Sequence, residues 1–267
     1  MKQLNIFTVQ GMPEVRAGDR VGELIRERVE LQDGDVVVIS QKIVSKAEGR
    51  VVRLDSVTPS ARAHELAERL GKEPELVELV LSESREVLRD ERVLITETHH
   101  GFVCANAGID SSNLAEDGTV CLLPEDPDAS ARRIRSELSP TVEGPGMGVA
   151  GPSPLLSADP HPRPLPAVLI TDSFGRAWRV GQAEVAIGCA GLQPLDDWRG
   201  RRDASGRELS ATVIAIADEV TAAADLVRGK DEGVPVVVVR GLGHYVLAED
   251  GPGAAALRRP PGEDLFR

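Results

Sequence analysis

The segment that follows the apolar stretch Val36–Ser40 is basic and could hold a polyphosphate. It contains Lys42, Lys46 and Arg50 within a short span. Lysine acts as a point charge toward phosphate oxygens, and arginine adds a planar set of donors. A solvated basic face after a strand would give the same pattern, and the local sequence alone favours that interpretation.

Residues 108–113 carry oxygen ligands of the kind that hard cations prefer. The carboxylate of Asp110, two serine hydroxyls and the amide of Asn113 lie within this one segment. Mg²⁺ and Mn²⁺ favour such oxygen ligands. The alternative is a plain turn, because Asp and Asn side chains also hydrogen-bond to their own backbone.

A third cluster follows the apolar run AVLIT and joins a carboxylate, a hydroxyl and two guanidinium groups. Its members are Asp172, Ser173, Arg176 and Arg179. Such a set suits a metal–phosphate site, because phosphoryl transfer depends mainly on positioning and on neutralising charge. A strand followed by a turn with surface arginines is the alternative interpretation.

Composition excludes several classes of protein. The net charge of −12 and the aromatic content of 3% argue against nucleic-acid binding, which needs a basic face and stacking side chains. Cys104, Cys121 and Cys189 are widely spaced, so neither a zinc knuckle nor a disulfide framework is indicated. No apolar segment reaches the roughly 20 residues of a membrane span, and the N-terminus lacks a signal-peptide pattern. We therefore predict a soluble cytoplasmic protein.

The pattern of apolar residues predicts the elements that must position these clusters. Continuous Val and Ile runs suit strands that are covered on both faces. We predict strands in residues 2–10, 36–40, 51–52, 93–96, 119–123, 166–171 and 234–241, and helices in residues 21–29, 60–90, 123–138 and 211–229.

The predicted fold class is mixed α+β. Strands and helices do not alternate regularly, so a doubly wound sheet is not expected. No GxxxxGK[ST] motif is present and no GxGxxG follows a predicted strand, which argues against P-loop and Rossmann folds. We predict one domain over 1–250, with halves 1–138 and 167–250, a Pro/Gly-rich insertion at 139–166 and a loose tail at 251–267.

Taken together and in this order, the clusters resemble those of one family, the coenzyme F420:L-glutamate ligases, also called F420-0 gamma-glutamyl ligases. The matching segments run from near residue 9 to near residue 241, and CANAGIDSSN and TDSFGRAWRVGQ are the most unusual of them. The resemblance implies two intertwined subdomains and a homodimer with the active site near its interface.

The resemblance also implies a reaction. Enzymes similar to this chain use GTP and Mg²⁺ or Mn²⁺, with K⁺ as a further candidate ion, to convert the terminal carboxylate of F420-0 to an acyl phosphate. The amine of L-glutamate then attacks, and GDP and phosphate are released. Some members add further γ-linked glutamates. The same loops would also suit a metal-dependent phosphotransferase or phosphatase, or a GTP-binding module without catalysis.

Residue roles follow where this sequence matches the family. Asp110 and Asp172 would ligate one metal ion and Ser173 a second, and Asp110, Asp172 and Arg176 would act in catalysis. Lys230 stands where the family often has a glutamine ligand; a protonated ammonium cannot ligate a cation, so its carbonyl or Asp231 substitutes, or the ligand is absent. The implied nucleotide-binding residues are Gln10, Gly11, Met12, Pro13, Gln41, Lys42, Lys46, Asn113, Arg228, Gly229, Lys230, Asp231, Glu232, Gly233, Val234 and Pro235.

Overall fold

The protein is described here from a computed structural model, which covers residues 3–112, 114, 116–139 and 165–264. The strands are β1 (Asn5–Thr8), β2 (Val36–Ser40), β3 (Val51–Arg53), β4 (Ser84–Arg89), β5 (Ile95–Thr98), β6 (Val103–Ala105), β7 (Thr119–Cys121), β8 (Ala167–Arg176), β9 (Arg179–Ala190), β10 (Asp196–Asp197), β11 (Val213–Ile214) and β12 (Val236–Arg240). The α-helices are α1 (Val21–Arg26), α2 (Gln41–Ala47), α3 (Ala61–Leu70), α4 (Pro74–Ser82), α5 (Pro127–Glu137) and α6 (Ile216–Asp225).

A five-stranded mixed sheet forms the centre, in the order β1-β12-β2-β8-β9. β2 and β8 are parallel, while the other neighbouring pairs are antiparallel. The first four strands in this order come alternately from the first and second halves of the chain, which confirms the mixed α+β class and the intertwining of the halves. A doubly wound parallel sheet is absent from the described ranges, as the irregular order of predicted elements indicated.

Both faces of the central sheet are covered, as the Val-rich run of β2 predicted. Val37 and Ile39 pack in one apolar cluster with Ile134 of α5. Val36 and Val38 point to the opposite face and pack in a second cluster with Ala217 of α6. Successive side chains of a strand alternate between faces, so a strand in the middle layer must be apolar throughout.

A smaller sheet, β4-β5-β6, packs with α3 and α4 around a third apolar cluster. α3 follows the N-cap Ser60, whose side chain accepts a hydrogen bond from the amide of Ala63, and α4 begins at Pro74. The prediction of helix up to residue 90 was wrong. Residues Ser84–Arg89 form β4 because β5 offers an antiparallel partner, and such pairing overrides a local helical pattern.

Three other boundaries differ from the prediction. The basic segment after β2 is a helix, α2, and the loop expected from Asp172 onward is a continuation of β8 paired with β9 as far as Arg176. The helix expected over 211–229 begins at Ile216 and ends at Asp225. Residues Val213–Ile214 instead form β11 and pair with β10.

The described part of the C-terminal segment is packed, in contrast to the loose tail expected. Ala254 is buried, and the carboxylate of Asp128 accepts hydrogen bonds from the amides of Ala254 and Ala255. Most of the predicted insertion, residues 140–164, lies outside the described residues. No helix in the described part of the chain has the length and apolar character that crossing a membrane requires.

Candidate active site

A cavity of about 860 Å³ opens where β2 ends. Ser40, the last residue of β2, lies beside Thr171 in the parallel register with β8. The residues that follow, Lys42 on α2 and Asp172 on β8, therefore reach the same cavity. Two of the three polar clusters found in the sequence are thus joined by one pair of parallel strands.

The first group in the cavity, called here the Asp110 cluster, consists of Asp110, Ser112 and Lys42. The Lys42 ammonium lies 2.8 Å from Oδ2 of Asp110 and donates to Oγ of Ser112 at 2.6 Å. The amide of Ser112 donates to Oδ1 of Asp110 at 2.7 Å. Burial raises the pKa of Asp110, but the hydrogen bonds from Lys42 and Ser112 outweigh it, and the net pKa is lowered.

An unusual backbone turn presents Asp110 to the cavity. Asn106, Ala107 and Gly108 have φ values of 51°, 54° and 73°, a left-handed run that only glycine adopts without strain. The backbone of Asp110 then bonds to that of Cys121 in both directions, which fixes the carboxylate beside β7. The buried Oδ1 of Asn106 has no hydrogen-bond partner.

The second group, called here the Ser173 cluster, consists of Ser173, Glu184, Arg228 and Lys230. Ser173 and Glu184 face each other in the β8–β9 pair, and the Ser173 hydroxyl donates to Oε1 of Glu184. Arg228 lies 2.8 Å from Oε2, and the Lys230 ammonium lies 2.6 Å from Oγ of Ser173. Burial raises the pKa of Glu184, but Arg228 and the hydroxyl donors outweigh it and the net pKa is lowered.

Asp172 lies between the two clusters and differs from both. Asp172 and Ser173 are adjacent in β8, and both line the cavity. Burial, followed by the negative charges of Glu184 and Asp110, raises the pKa of Asp172 to about 7. Lys42 pairs with Asp110, and Lys230 pairs with Glu184. Among the described residues, no ion pair involves Asp172. This carboxylate therefore favours a proton or a cation.

The oxygens at the cavity fit a hard cation. Among the described residues, no group of three or more His, Cys, Asp or Glu side chains is arranged to hold a metal ion. Mg²⁺, however, is usually bound through one or two carboxylates together with substrate phosphates and water. Asp110 and Asp172 supply two carboxylates, Ser173 adds a hydroxyl, and the uncompensated charge at Asp172 is the feature a cation would neutralise.

The cavity brings together most of the residues predicted from the sequence. Its lining includes Met12, Pro13, Lys42, Lys46, Asp110, Asp172, Ser173, Arg228, Gly229, Lys230, Asp231, Gly233, Val234 and Pro235. These residues span positions 12 to 235 of the sequence, so the fold brings distant segments together at the cavity.

Other predicted residues lie elsewhere. Gln41 is buried behind the cavity, where its Oε1 accepts from Ser45 and its Nε2 has no partner. Arg176 donates to the carbonyls of Val180 and Gly181 within the β8–β9 hairpin. The residues Gln10, Gly11 and Glu232 are also missing from the lining, and Asn113 is outside the described residues.

Several polar residues of the lining lie outside the clusters selected from the sequence, among them Glu14, Asn106 and Glu184. Glu14 forms an ion pair with Lys46 at 2.6 Å. Glu184 is a charged residue inside the otherwise apolar run of β9, and that contrast is the signal that could have identified it, because buried charges are rare unless paired. Asn106 lies in the segment CANAGIDSSN, next to residues that were selected.

Comparison with known proteins identifies the family. The sequence model for the family described as F420-0:Gamma-glutamyl ligase matches residues 11–145 and 164–241. The chain belongs to this family.

Individual relatives agree over nearly the full length. The coenzyme F420:L-glutamate ligase of Methanothermobacter thermautotrophicus is 44% identical, with 99% of each chain covered. The ligases of the same name from Methanopyrus kandleri and Archaeoglobus fulgidus are 45% and 44% identical, covering 95% and 90% of this chain and 94% and 88% of their own. The F420-0 gamma-glutamyl ligase match includes every segment that lines the cavity.

Proposed function

We propose that this protein joins L-glutamate to F420-0 in a reaction that consumes GTP and requires a divalent metal ion. Its membership of the F420-0:gamma-glutamyl ligase family and the names of its relatives support the reaction. The proposed binding of GTP and of a metal ion rests on one observation. A single cavity contains two lysines, Lys42 and Lys46, beside Asp110, which has an ion pair, and Asp172, which has none among the described residues. Phosphates need cations, and carboxylates attract them.

Different residues of the cavity would bind different parts of GTP. Lys42 and Lys46 would hold phosphate oxygens as point charges. Met12 and Pro13 on one side, and the loop from Arg228 to Pro235 on the other, would contact the nucleotide. Asp110 and Asp172 would hold a divalent ion, which on binding would withdraw charge from the phosphates and the developing oxyanion. Loss of its proton would make the Asp172 carboxylate available as a ligand.

The chemistry joins an acid and an amine in two steps. A carboxylate oxygen of F420-0 attacks the γ-phosphorus of GTP, the bond to the β-phosphate oxygen breaks, and GDP leaves. The glutamate amine then attacks the acyl carbon, the carbon–oxygen bond to phosphate breaks, and the amine proton passes to solvent. The protein's part is to hold the carboxylate in line with the γ-phosphate and to offset negative charge.

The oligomeric state and location are part of this proposal. The apolar stretch 188–192 is buried inside the chain at Cys189, Ala190 and Leu192 and so lends no support to a dimer. Trp178 and Val180, at the tip of the β8–β9 hairpin, are 82% and 98% exposed and offer an apolar surface for a second copy. A homodimer in the cytoplasm is the state we propose.

One incubation tests the proposal. The purified chain is mixed with F420-0, L-glutamate, GTP and Mn²⁺, and the products are read by mass spectrometry. A mass gain of one or more glutamyl groups that depends on GTP and Mn²⁺ is expected, and its size gives the number of additions. GTP hydrolysis without glutamylation would indicate a phosphatase or another acceptor. Binding of GTP with no turnover by the folded chain would indicate a module without catalysis.

A further inference from the structure

The Ser173 cluster already contains a cation that belongs to the protein. The Nζ atom of Lys230 lies 2.6 Å from Oγ of Ser173 and 3.4 Å from Oε1 of Glu184. The second oxygen of Glu184 is bound to Arg228 at 2.8 Å. Each oxygen that this cluster turns toward the cavity is therefore in contact with a positive group from the chain.

The position of Lys230 excludes a metal ion at the same oxygens. Mg²⁺ binds oxygen at about 2.0–2.1 Å, so an ion on Ser173 would lie against an ammonium nitrogen that is 2.6 Å from that oxygen. Two positive groups at that spacing repel strongly, and the ammonium has no lone pair with which to join the coordination. Ser173 can hold the ammonium or the metal ion, but not both.

The Asp110 side of the cavity is different. Lys42 binds Asp110, but Asp172 beside it has no ion pair among the described residues. Lys42 contacts Oδ2 of Asp110, whereas Oδ1 accepts from the amide of Ser112. A cation from solution can therefore bind Asp172 and Oδ1 of Asp110 without displacing a cation of the protein. Among the described residues, the Asp110 side of the cavity thus has a carboxylate without a positive partner, and the Ser173 side has none.

We propose that the Lys230 ammonium fills the cation position at Ser173 and Glu184, so that this chain binds one divalent ion, at Asp110 and Asp172, and not two. This inference rests on the proposed function, because it concerns the metal ions of that same site. The Lys230 ammonium, instead of a second metal ion, would offset the negative charge of the phosphates. This inference also means that Ser173 is a partner of Lys230 and not a metal ligand.

Lys230 is well suited to substitution because its side chain is 71% exposed. Replacing it by glutamine removes the charge and provides an amide oxygen, which a divalent ion accepts as a ligand. Replacing it by arginine keeps the charge. Lys72, which precedes α4 and is absent from the cavity lining, gives a matched control for the loss of one lysine charge.

The test counts bound Mn²⁺ on the purified full-length chain, without substrates, by titration with electron paramagnetic resonance detection of free Mn²⁺. One bound ion is expected for the wild type, Lys230→Arg and Lys72→Gln, and two for Lys230→Gln. Circular dichroism confirms that each variant is folded. The readout is a stoichiometry and does not depend on turnover.

The outcomes separate this inference from the proposed function. Two ions bound by the wild type, or the same number bound by the wild type and Lys230→Gln, would overturn the role of Lys230 and leave the metal-dependent ligase proposal standing. Two ions bound by Lys230→Arg would also overturn it, since the charge is then not what excludes the ion. No Mn²⁺ bound by any variant would overturn both proposals together.

Discussion

The Asp110 cluster and the Ser173 cluster line one cavity, and each contains a carboxylate, a serine and a lysine. They differ in burial. Asp110 is 40% exposed and is paired with Lys42 alone, whereas Glu184 is 4% exposed and is paired with both Arg228 and Lys230. A charge that is removed from water loses more hydration, so it needs more compensation from the protein. Burial thus sets how many cations each carboxylate requires.

The two clusters also receive their lysines in different ways. Lys42 stands on α2, directly after the central strand β2, and is 18% exposed. Lys230 comes from the loop after α6 and is 71% exposed. A helix fixes the direction of its side chains, whereas a loop side chain is held in place mainly by its partners, which for Lys230 are Ser173 and Glu184. We expect the Asp110 side to be rigid and the geometry of the Ser173 side to depend on these two contacts.

The largest expected effect comes from the carboxylate between the clusters. Asp172→Asn should lower the rate of glutamylation by about 10³-fold, because an amide leaves the developing charge without a bound cation. The rate is measured by mass spectrometry of the product, with circular dichroism to show folding. Asp117→Asn changes an exposed carboxylate that is absent from the cavity lining and serves as the control. Full activity of Asp172→Asn would contradict the site.

The second prediction contrasts the stability of the two clusters. Glu184→Gln should lower the free energy of unfolding by about 3 kcal/mol, because it leaves the buried Arg228 charge with only the more distant carboxylate of Asp225, at 3.6 Å. Asp110→Asn should cost less than about 1 kcal/mol, since its ion pair is half exposed. Urea unfolding of the metal-free variants measures both. Equal losses would show that burial does not distinguish the clusters.

The third prediction concerns pH. Burial and the neighbouring carboxylates raise the pKa of Asp172 to about 7 in the folded chain, above its ordinary value of 3.8. The folded state therefore binds the proton more tightly, and the resulting stability is complete below pH 4 and is lost as the pH rises through 7. Relative to Asp172→Asn, the metal-free wild type should lose on the order of 4 kcal/mol of unfolding free energy between pH 4 and pH 8.

Urea unfolding in EDTA at a series of pH values gives this difference directly. Using the difference between the wild type and Asp172→Asn removes the contribution of the other carboxyl groups, which titrate in both. A difference that stays constant, or that favours the wild type as the pH rises, would be inconsistent with an uncompensated Asp172.

The smallest expected effect tests the rigid side of the cavity. Lys46→Ala should raise the Kd for GTP about tenfold, which corresponds to about 1.4 kcal/mol. The loss is modest because Lys42 remains nearby on α2, and because Lys46 must give up part of its pairing with Glu14 to bind phosphate. Calorimetric titration with GTP measures it, with Lys72→Ala as the matched control. An unchanged Kd would remove Lys46 from the phosphate site.

The sequence by itself determined the central elements and much of the candidate site. The Val run of β2 was predicted with the bounds Val36–Ser40, and Ser60 and Asp126 accept capping hydrogen bonds where two of the predicted helices begin. These signals are local: side-chain periodicity and capping act within a few residues of one another. The segments around Asp110 and Asp172 could be identified as candidate sites from local sequence as well, because residue types that bind metal ions and phosphate lie close together in each.

Only the tertiary structure decided which elements pair and which charges meet. β4 is a strand because β5 lies beside it, and the β8–β9 register opposes Ser173 with Glu184. Glu184 meets Lys230 across a chain separation of 46 residues, a contact that no local pattern encodes. The physical reason is that burial sets the need for a partner, and both the burial and the partner depend on how distant segments pack.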